Sequence, residues 1–370
     1  NTLFFNMAKT KIAVVGRGIA GCVTALHYHF YGDDKFEVEM YYDPEVPIEK
    51  VGQGTTISIA NLVGNSLDVN WYRNNLGLTP KTGILYENWG QKYDKSFHEF
   101  NLSQSACHYV PKKFSETVIN SNLFKVTEKS VVDTDDEIDA DYVFDCRGRS
   151  NIDYSEYDTI KNPLNAAILS SKEGRDHSLT YTRCVATPHG WTFVIPNTDS
   201  VSYGYLYNSN ITTKEEATSN FSEMFDVEPL DHLSFNNYIA KNVWKSDKTI
   251  LNGTKYSFIE PLEATSAEFY QHVAKCAWDR IQFDASKEFV NESIRDESKR
   301  IENFILWHYK KGSKFDTPFW DYAKSFSIDF DDEFKEMLTF SRENSASVVK
   351  RTPAIYSQWN RNCISHWDSI

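Results

Sequence analysis

The sequence predicts an α/β fold with some α+β elements, and three segments carry this prediction. Residues 11–16, KIAVVG, form a short β-branched run, after which a glycine-rich turn leads into CVTALHYHF, whose apolar spacing is helical. Residues 36–43, FEVEMYYD, are typical of a second strand, and residues 140–148, ADYVFDCRG, of a later buried strand that ends in a turn. A strand, a glycine turn, a helix and a second strand in this order indicate a βαβ unit.

The remaining elements are predicted from periodicity alone. SLDVNWYRNNLG (66–77) and TSAEFYQHVAKCAW (265–278) are expected to be helical, and GILYENW (83–89) is expected to be a strand. Residues 300–345 combine helical spacing with dense charge, in RIENFILWHYKK and DDEFKEMLTF, which predicts solvated helices packed on one face. No repeat, low-complexity linker or proline-rich hinge divides the chain. We therefore expect one composite domain over residues 7–370, with residues 1–6 a remnant of cloning.

Composition excludes several classes of function. The net charge is -13, which disfavours nucleic acid and phospholipid surfaces as partners because such binding relies on Lys and Arg. No run of 18 apolar residues predicts a membrane span. The six cysteines are scattered without a C-x-x-C pair, so neither a zinc site nor a disulfide framework is indicated. We expect reduced thiols in a cytoplasmic protein without a bound metal.

The glycine turn predicts a dinucleotide site. Gly16, Gly18 and Gly21 form G-x-G-x-x-G between a strand and a helix. Ala20, within the turn, is also expected to contact the cofactor. The glycines allow a tight turn, a close approach to a pyrophosphate and close helix packing, while the helix N-terminus attracts the phosphates. The motif does not separate FAD from NAD. Asp43, at the end of the second strand, is the candidate that binds the ribose hydroxyls.

A single lysine stands out in LTPKTGILYENW (78–89), where Lys81 lies between a proline and the predicted strand. A lysine at the start of a strand is usually an exposed edge charge, so its position alone indicates no function.

Five further segments, together with the glycine turn, change that interpretation. The chain resembles the flavin-dependent tryptophan halogenase family in VGQGTT (51–56), GWTFVIP (190–196), SYGYLYNS (202–209), FIEPLEATS (258–266) and HYKKGSKFDTPFW (308–320). The resemblance implies an FAD-binding, Rossmann-like fold of the aromatic-hydroxylase type, with a sheet and a helical module that cover the substrate. It also implies FADH2 supplied by a separate flavin reductase, halide as a co-substrate and a small aromatic substrate.

The resemblance also implies how the chain is divided between the two modules. The FAD-binding module is expected to come mainly from residues 9–60, 138–165 and 245–285. The substrate module is expected to come mainly from residues 61–137, 166–244 and 286–370.

The resemblance assigns roles to particular residues. Lys81 matches the family's catalytic lysine, and Glu263 matches its glutamate partner. A buried ammonium can donate a hydrogen bond to hypohalous acid or form a haloamine, and a nearby carboxylate can orient the reagent and take the ring proton. Thr265 and Ser266 correspond to the residues against whose backbone the family's halide lies, and they open a predicted helix whose free amides attract an anion.

Other assignments follow from the same alignment of motifs. The cofactor-binding VGQGTT segment contributes Gln53, Gly54 and Thr55. His98 and Phe100 in FHEFN match the histidine and aromatic residue that sandwich indole in the family, so we expect them to pack against the substrate.

The sequence also departs from the family's pattern. Phe193 replaces the second tryptophan of GWTFVIP, Gln53 replaces a glutamate, and Ala264 replaces a serine. Counting back from VGQG puts Tyr42 rather than Asp43 at the ribose-binding position, and adjacent strand residues face opposite ways. The chain is shorter than the indole-specific members, which predicts a more open site for a phenolic or heteroaromatic substrate.

The sequence thus leads to three functional hypotheses. The first is a halogenase that uses FADH2, oxygen and halide to make hypohalous acid, which Lys81 relays to an electron-rich aromatic ring. The second is an FAD-dependent aromatic monooxygenase, which would need no halide. The third is a flavin-binding homologue that has lost catalysis.

Overall fold

The computed structural model describes residues 8–328, apart from residues 50, 70–73, 75, 92, 101–105, 150 and 151. The predicted remnant at residues 1–6, the predicted helix in DDEFKEMLTF and Cys363 lie outside the described residues. The five described cysteines are free and buried. Among the described residues, no helix is long and apolar enough to cross a bilayer, and no group of His, Cys, Asp and Glu is arranged to hold a metal.

Eight helices lie in the described part of the chain. In chain order they are α1 (Ile19–Gly32), α2 (Ile57–Leu67), α3 (Pro111–Ile119), α4 (Thr134–Glu137), α5 (Lys214–Phe225), α6 (Ser266–Phe283), α7 (Lys287–Lys311) and α8 (Pro318–Ser325).

The described strands form four sheets. In chain order they are β1 (Thr10–Val15), β2 (Phe36–Tyr42), β3 (Gln53–Gly54), β4 (Thr79–Lys81), β5 (Gly83–Glu87), β6 (Lys95–Glu99), β7 (Ala106–Tyr109), β8 (Lys125–Glu128), β9 (Tyr142–Asp145), β10 (Tyr157–Thr159), β11 (Ala166–Glu173), β12 (Thr182–Thr187), β13 (Gly190–Pro196), β14 (Ser200–Tyr207), β15 (Asp231–Ser234), β16 (Tyr238–Ala240), β17 (Thr249–Leu251) and β18 (Ser257–Phe258).

A five-stranded parallel sheet, in the order β17-β9-β1-β2-β8, carries the glycine turn. Residues 12–15 of β1 are buried, which is why this strand is a continuous apolar run without alternation. The βαβ unit predicted from residues 11–43 is confirmed as β1, α1 and β2, with β1 and β2 parallel. The sheet also contains β8, which lies outside the ranges we assigned to the FAD-binding module.

A seven-stranded sheet, in the order β15-β11-β14-β13-β12-β5-β6, forms the second layer. Its pairs are antiparallel except for β5 and β12, which run parallel. Two three-stranded sheets, β3-β7-β4 and β10-β16-β18, complete the fold. Because β4 belongs to one sheet and β5 to another, the chain changes sheets at Thr82, one residue after Lys81.

Two predictions about helices are wrong. The helix predicted over residues 66–77 overlaps α2 only at residues 66 and 67, because Asp68 adopts the left-handed conformation (φ 48°) that terminates α2. Its described remainder is irregular, and the Asn74 side chain accepts from the backbone N–H of Leu78 at 2.9 Å. Helix α7 is not packed on one face only, since residues 301–309 are all buried. The charged residues in the first half of α7 dominate the sequence pattern, so the burial of the second half in the core was not predicted.

Candidate active site

The three glycines of the turn have distinct steric roles. Gly16 has φ 121°, and a Cβ at this position would lie 2.3 Å from the carbonyl oxygen of Cys146 on the neighbouring loop. A Cβ on Gly21 would lie 1.9 Å from the carbonyl oxygen of Gly16, so α1 can pack on the turn only with glycine there. A Cβ on Gly18 would meet no atom within 4 Å, so the space above this residue is open.

The open space lies at the N-terminus of α1. Gly18 is the N-cap residue and gives the helix no side-chain cap, which leaves backbone amides available to an anion. Ala20 packs against the turn at Gly253, where φ is +66° and an added Cβ would lie 2.6 Å from the Ala20 Cβ. The turn therefore fits the pyrophosphate of FAD, which needs close backbone approach and unpaired amides.

These roles predict different outcomes for two matched substitutions. Gly21→Ala is expected to destabilise the protein by several kcal/mol, because the new methyl group overlaps a carbonyl oxygen. Gly18→Ala has room and an ordinary backbone conformation, so its melting temperature without flavin should match that of the parent. Its FAD affinity, measured by quenching of flavin fluorescence, should fall at least tenfold because the methyl group enters the phosphate site. Unchanged FAD affinity in Gly18→Ala would contradict this assignment.

The segment containing Gln53, Gly54 and Thr55 connects the cofactor side of the site to Lys81. Gln53 and Gly54 form β3, which pairs with β7, and the Gln53 side chain accepts from the Tyr109 hydroxyl. A Cβ on Gly54 would lie 3.3 Å from Lys81 Nζ and 3.5 Å from the Cβ of Ala264. Gly54 is therefore the point at which the predicted cofactor segment, the lysine strand and the EPLEATS segment meet.

Lys81 is a buried amine and not an exposed edge charge. Its side chain is only 1% exposed, and Nζ donates to the Thr55 carbonyl oxygen at 3.1 Å. The Phe100 ring centroid is 5.7 Å from Nζ. Burying an amine costs several kcal/mol unless it is paired or changes its protonation state, so a position of this kind suggests a functional reason.

Glu263 lies in a strained turn. Its φ is 69° and that of Ala264 is 54°, so two consecutive residues other than glycine adopt the left-handed conformation. Each costs roughly 1–3 kcal/mol and persists only where neighbouring structure holds it. Glu260 provides part of that support, since its carboxyl accepts from the Leu262 N–H at 3.0 Å and from the Tyr309 hydroxyl at 2.7 Å. Burial raises the pKa of Glu260 to about 7.

His308 is a site residue that sequence reasoning did not assign, although it opens the HYKKGSKFDTPFW segment. It is fully buried on α7, with Nδ1 2.8 Å from the Phe304 carbonyl oxygen and Nε2 2.9 Å from Glu263 Oε1. Because a carbonyl only accepts, Nδ1 must carry a proton. The contact between Nε2 and Oε1 then needs a second proton, which either group can hold. Glu263 and His308 thus form a buried pair that shares one proton.

The start of α6 lies beside this pair in the chain. Thr265 is the N-cap residue of the 18-residue helix and gives it no side-chain cap, and Ser266 is its first residue. Among the described residues, the buried Oγ1 of Thr265 and Oε2 of Glu263 find no hydrogen-bond partner. Unpaired buried polar atoms at a helix N-terminus are unusual and can be explained by an unseen ligand.

The two residues predicted to contact the substrate belong to an aromatic cluster. His98 is buried on β6, with its ring centroid 4.8 Å from that of Tyr86. Tyr86 stacks in turn on His308, with ring centroids 5.8 Å apart. Phe100 is next to Lys81 as described above. His98 and Glu263 are therefore linked through Tyr86 and His308, which the sequence did not single out, whereas Phe100 contacts Lys81.

Two predicted residues lie apart from this cluster. Asp43 follows β2, and its Oδ1 accepts from the Glu45 N–H at 2.9 Å in a local turn. Phe193, which replaces a tryptophan of the family, packs its ring over Gly204 on the adjacent strand and edge-on to Trp191.

The parallel sheet and its open glycine turn place the chain in the class of dinucleotide-binding α/β proteins. Comparison with known families gives the narrower classification. The model of the tryptophan halogenase family matches residues 11–115 and 117–365. The chain therefore belongs to the tryptophan halogenase family, whose cofactor is FAD.

Curated relatives include tryptophan 7-halogenase RebH from Lentzea aerocolonigenes, which is 27% identical over 201 residues, 49% of this chain and 38% of the relative. Tryptophan 7-halogenase KtzQ from Kutzneria sp. (strain 744) is 26% identical over 223 residues, 55% of this chain and 41% of the relative. These alignments thus span about two fifths of the relatives' own length.

Solved structures agree on the fold. A flavin-dependent halogenase from Xanthomonas campestris superposes with a TM-score of 0.81 at 17% identity, covering 98% of this chain and 89% of the other. A tryptophan halogenase from Shewanella frigidimarina gives a TM-score of 0.79 at 18% identity, covering 98% and 89%. The predicted FAD-binding, Rossmann-like fold is confirmed.

Proposed function

We propose that this protein is a two-component, flavin-dependent halogenase that acts on an electron-rich aromatic ring, phenolic or heteroaromatic. The observation that carries the proposal is the buried amine of Lys81, 1% exposed, beside the segment that bears Glu263. When bound, FADH2 with oxygen and halide supplies hypohalous acid. A diffusible FADH2 supply from a separate reductase is part of the proposal, as is a cytoplasmic location, which the free thiols support.

Lys81 has the chemistry to deliver the halogen. Its Nζ can donate a hydrogen bond to the oxygen of hypohalous acid or bind the halogen as a haloamine, and both routes leave the halogen electrophilic. Its burial beside Phe100 keeps water away from the reagent, which would otherwise escape. The halogen replaces a ring proton, and the hydroxyl of the reagent leaves with a proton as water.

Glu263 is proposed to take that ring proton, with His308 as a positioning residue. The contact of 2.9 Å between Oε1 and His308 Nε2 fixes the carboxylate, while Oε2 makes no hydrogen bond within the described structure. An oriented oxygen without a partner is suited to accept a proton from the substrate. The flat surfaces of Phe100, His98 and Tyr86 support an aromatic ring as the substrate.

Halide dependence tests this function. Purified protein would be given FADH2, oxygen, one of chloride, bromide or iodide, and either a phenol or an indole, and the products would be weighed by mass spectrometry. We expect one hydrogen to be replaced by the halogen supplied. Addition of one oxygen atom irrespective of halide would identify an aromatic monooxygenase instead. No product from any substrate, despite FAD binding, would favour a flavin-binding homologue without catalysis.

Thr265 and Ser266 are proposed to hold the halide at the N-terminus of α6. Thr265→Val keeps the shape of the side chain and removes the buried Oγ1, which has no partner among the described residues. If this hydroxyl binds halide, the KM for halide should rise about tenfold while the KM for the aromatic substrate stays the same. Measured without halide, the melting temperature of Thr265→Val should equal or exceed that of the parent, because the variant lacks an unsatisfied buried polar atom. An unchanged KM for halide would show that the Thr265 hydroxyl does not bind halide and would leave only the backbone amides for that role.

A further inference from the structure

The carboxyl end of the parallel sheet holds a cluster of three side chains that the proposed reaction does not use. Tyr42 is the last residue of β2, and its hydroxyl donates to Glu128 Oε1 at 2.7 Å. Glu128 is the last residue of β8 and is exposed. The Arg17 guanidinium, from the glycine turn, lies 4.6 Å from the Tyr42 ring centroid.

The cluster is joined directly to the glycine turn. The Gly16 N–H donates to the Tyr41 carbonyl oxygen at 2.8 Å, and Arg17 Nη2 donates to the carbonyl oxygens of Pro44 and Val46 at 2.9 and 3.1 Å. Tyr42 and Glu128 are register partners on adjacent parallel strands, so their side chains lie on the same face of the sheet. The end of β8 is two strands from β1, which corresponds to about 10 Å.

A dinucleotide bound on this turn extends its ribose across the end of β2, where a carboxylate ordinarily receives the hydroxyls. In this chain the last residue of β2 is a tyrosine. The next residue, Asp43, already accepts from Glu45 N–H, and a hydrogen bond with Ser130 lowers its pKa. Glu128 is the carboxylate that Tyr42 holds at this edge of the sheet.

We infer that Glu128, oriented by Tyr42, binds the ribose hydroxyls of the adenosine half of FAD in place of a carboxylate on β2. A carboxylate has about four acceptor positions, and the Tyr42 hydroxyl occupies one of them, so acceptors remain for a ribose hydroxyl. The Glu128 carboxylate raises the pKa of Tyr42, which keeps the phenol in its donating form. The Arg17 guanidinium lies over the tyrosine ring and offsets the negative charge beside the pyrophosphate.

Nucleotide binding tests this inference without turnover. Titration calorimetry on the whole chain would compare ADP with 2′-deoxy-ADP and 3′-deoxy-ADP, and fluorescence quenching would give the FAD affinity. The parent should prefer ADP to at least one deoxy analogue. Glu128→Gln should weaken FAD and ADP about tenfold or more and lose that preference, because a hydrogen bond to a charged acceptor is lost. Tyr42→Phe should give a smaller loss, since the carboxylate remains but is no longer oriented.

The controls separate ribose binding from general effects of charge. Glu37→Gln removes one exposed carboxylate from the amino end of β2 and should leave both affinity and preference unchanged. Melting temperatures without nucleotide should be equal, since Glu128 is exposed. The inference is overturned if Glu128→Gln keeps the parent's affinity and preference, or if Asp43→Asn is the variant that loses the preference. This inference rests on the proposed function only in taking FAD as the bound cofactor. The protein could therefore halogenate its substrate even if Glu128 does not bind the ribose.

Discussion

Replacing Lys81 with methionine is expected to reduce halogenation by a factor of roughly a hundred to ten thousand. Methionine has a similar length and fits an apolar environment, but it can neither donate a hydrogen bond to hypohalous acid nor carry the halogen. Product formation would be measured by mass spectrometry at saturating halide and aromatic substrate. FAD affinity would be measured alongside by fluorescence quenching, because Nζ donates to the backbone of Thr55 in the predicted cofactor segment.

Two observations would check that the loss is specific. Lys95→Met removes an exposed ammonium from β6 in the neighbouring sheet, and its activity should equal that of the parent. The Lys81→Met protein should consume FADH2 and release hypohalous acid into solution, where a thiol-free trapping reagent can detect it. Full activity in Lys81→Met would mean that the reagent reaches the substrate without the lysine, and the proposed relay would have to be abandoned.

Glu263→Gln is expected to lower kcat about a hundredfold and to change the rate-limiting step. The amide is nearly isosteric, so binding of the aromatic ring should be preserved, but it cannot take the ring proton. Proton loss from the ring should then limit the rate. Substrate deuterated at the reacting carbon should therefore show a primary isotope effect in the variant that is absent or small in the parent.

The isotope effect distinguishes a proton acceptor from a structural carboxylate. Glu302→Gln is a matched control, because Glu302 is also a buried glutamate, and it accepts from Lys299 and from the Lys161 N–H. The Glu302→Gln protein should be less stable than the parent but should show no primary isotope effect with the deuterated substrate. A Glu263→Gln enzyme that is slow but shows no isotope effect would assign Glu263 to reagent orientation alone.

The sequence predicted those elements of the fold whose structure depends on residues close together in the chain. The β-branched run of β1, the glycine turn and α1 are each specified within about ten residues, and their steric roles agree with the prediction. Helix α2 was placed too late in the chain, at residues 66–77, because an aspartate in the left-handed conformation stops the helix after Leu67 within an otherwise acceptable helical pattern. The burial of residues 301–309 was missed because the charges of the preceding turns dominate the pattern.

The residues of the candidate site likewise fall into those that local motifs predicted and those that only the folded structure reveals. Lys81, Glu263, Thr265 and Ser266 were predicted from motifs, whereas His308 was not, although the segment that contains it had been recognised. Its role depends on a contact with Glu263 across 45 positions of the chain, which no local pattern reports. The Tyr42 and Glu128 pair likewise joins residues 86 positions apart and becomes visible only once β2 and β8 lie side by side.

The left-handed pair at Glu263 and Ala264 has a consequence for engineering this protein. Substitutions that raise stability commonly remove backbone strain, and glycine at position 264 would do so. The same change would make the turn that holds Glu263 against His308 more flexible. A higher melting temperature from this substitution is therefore expected to come with a lower kcat. Stabilising libraries are therefore better directed at exposed helix positions such as those in the first half of α7, where no catalytic geometry depends on the backbone.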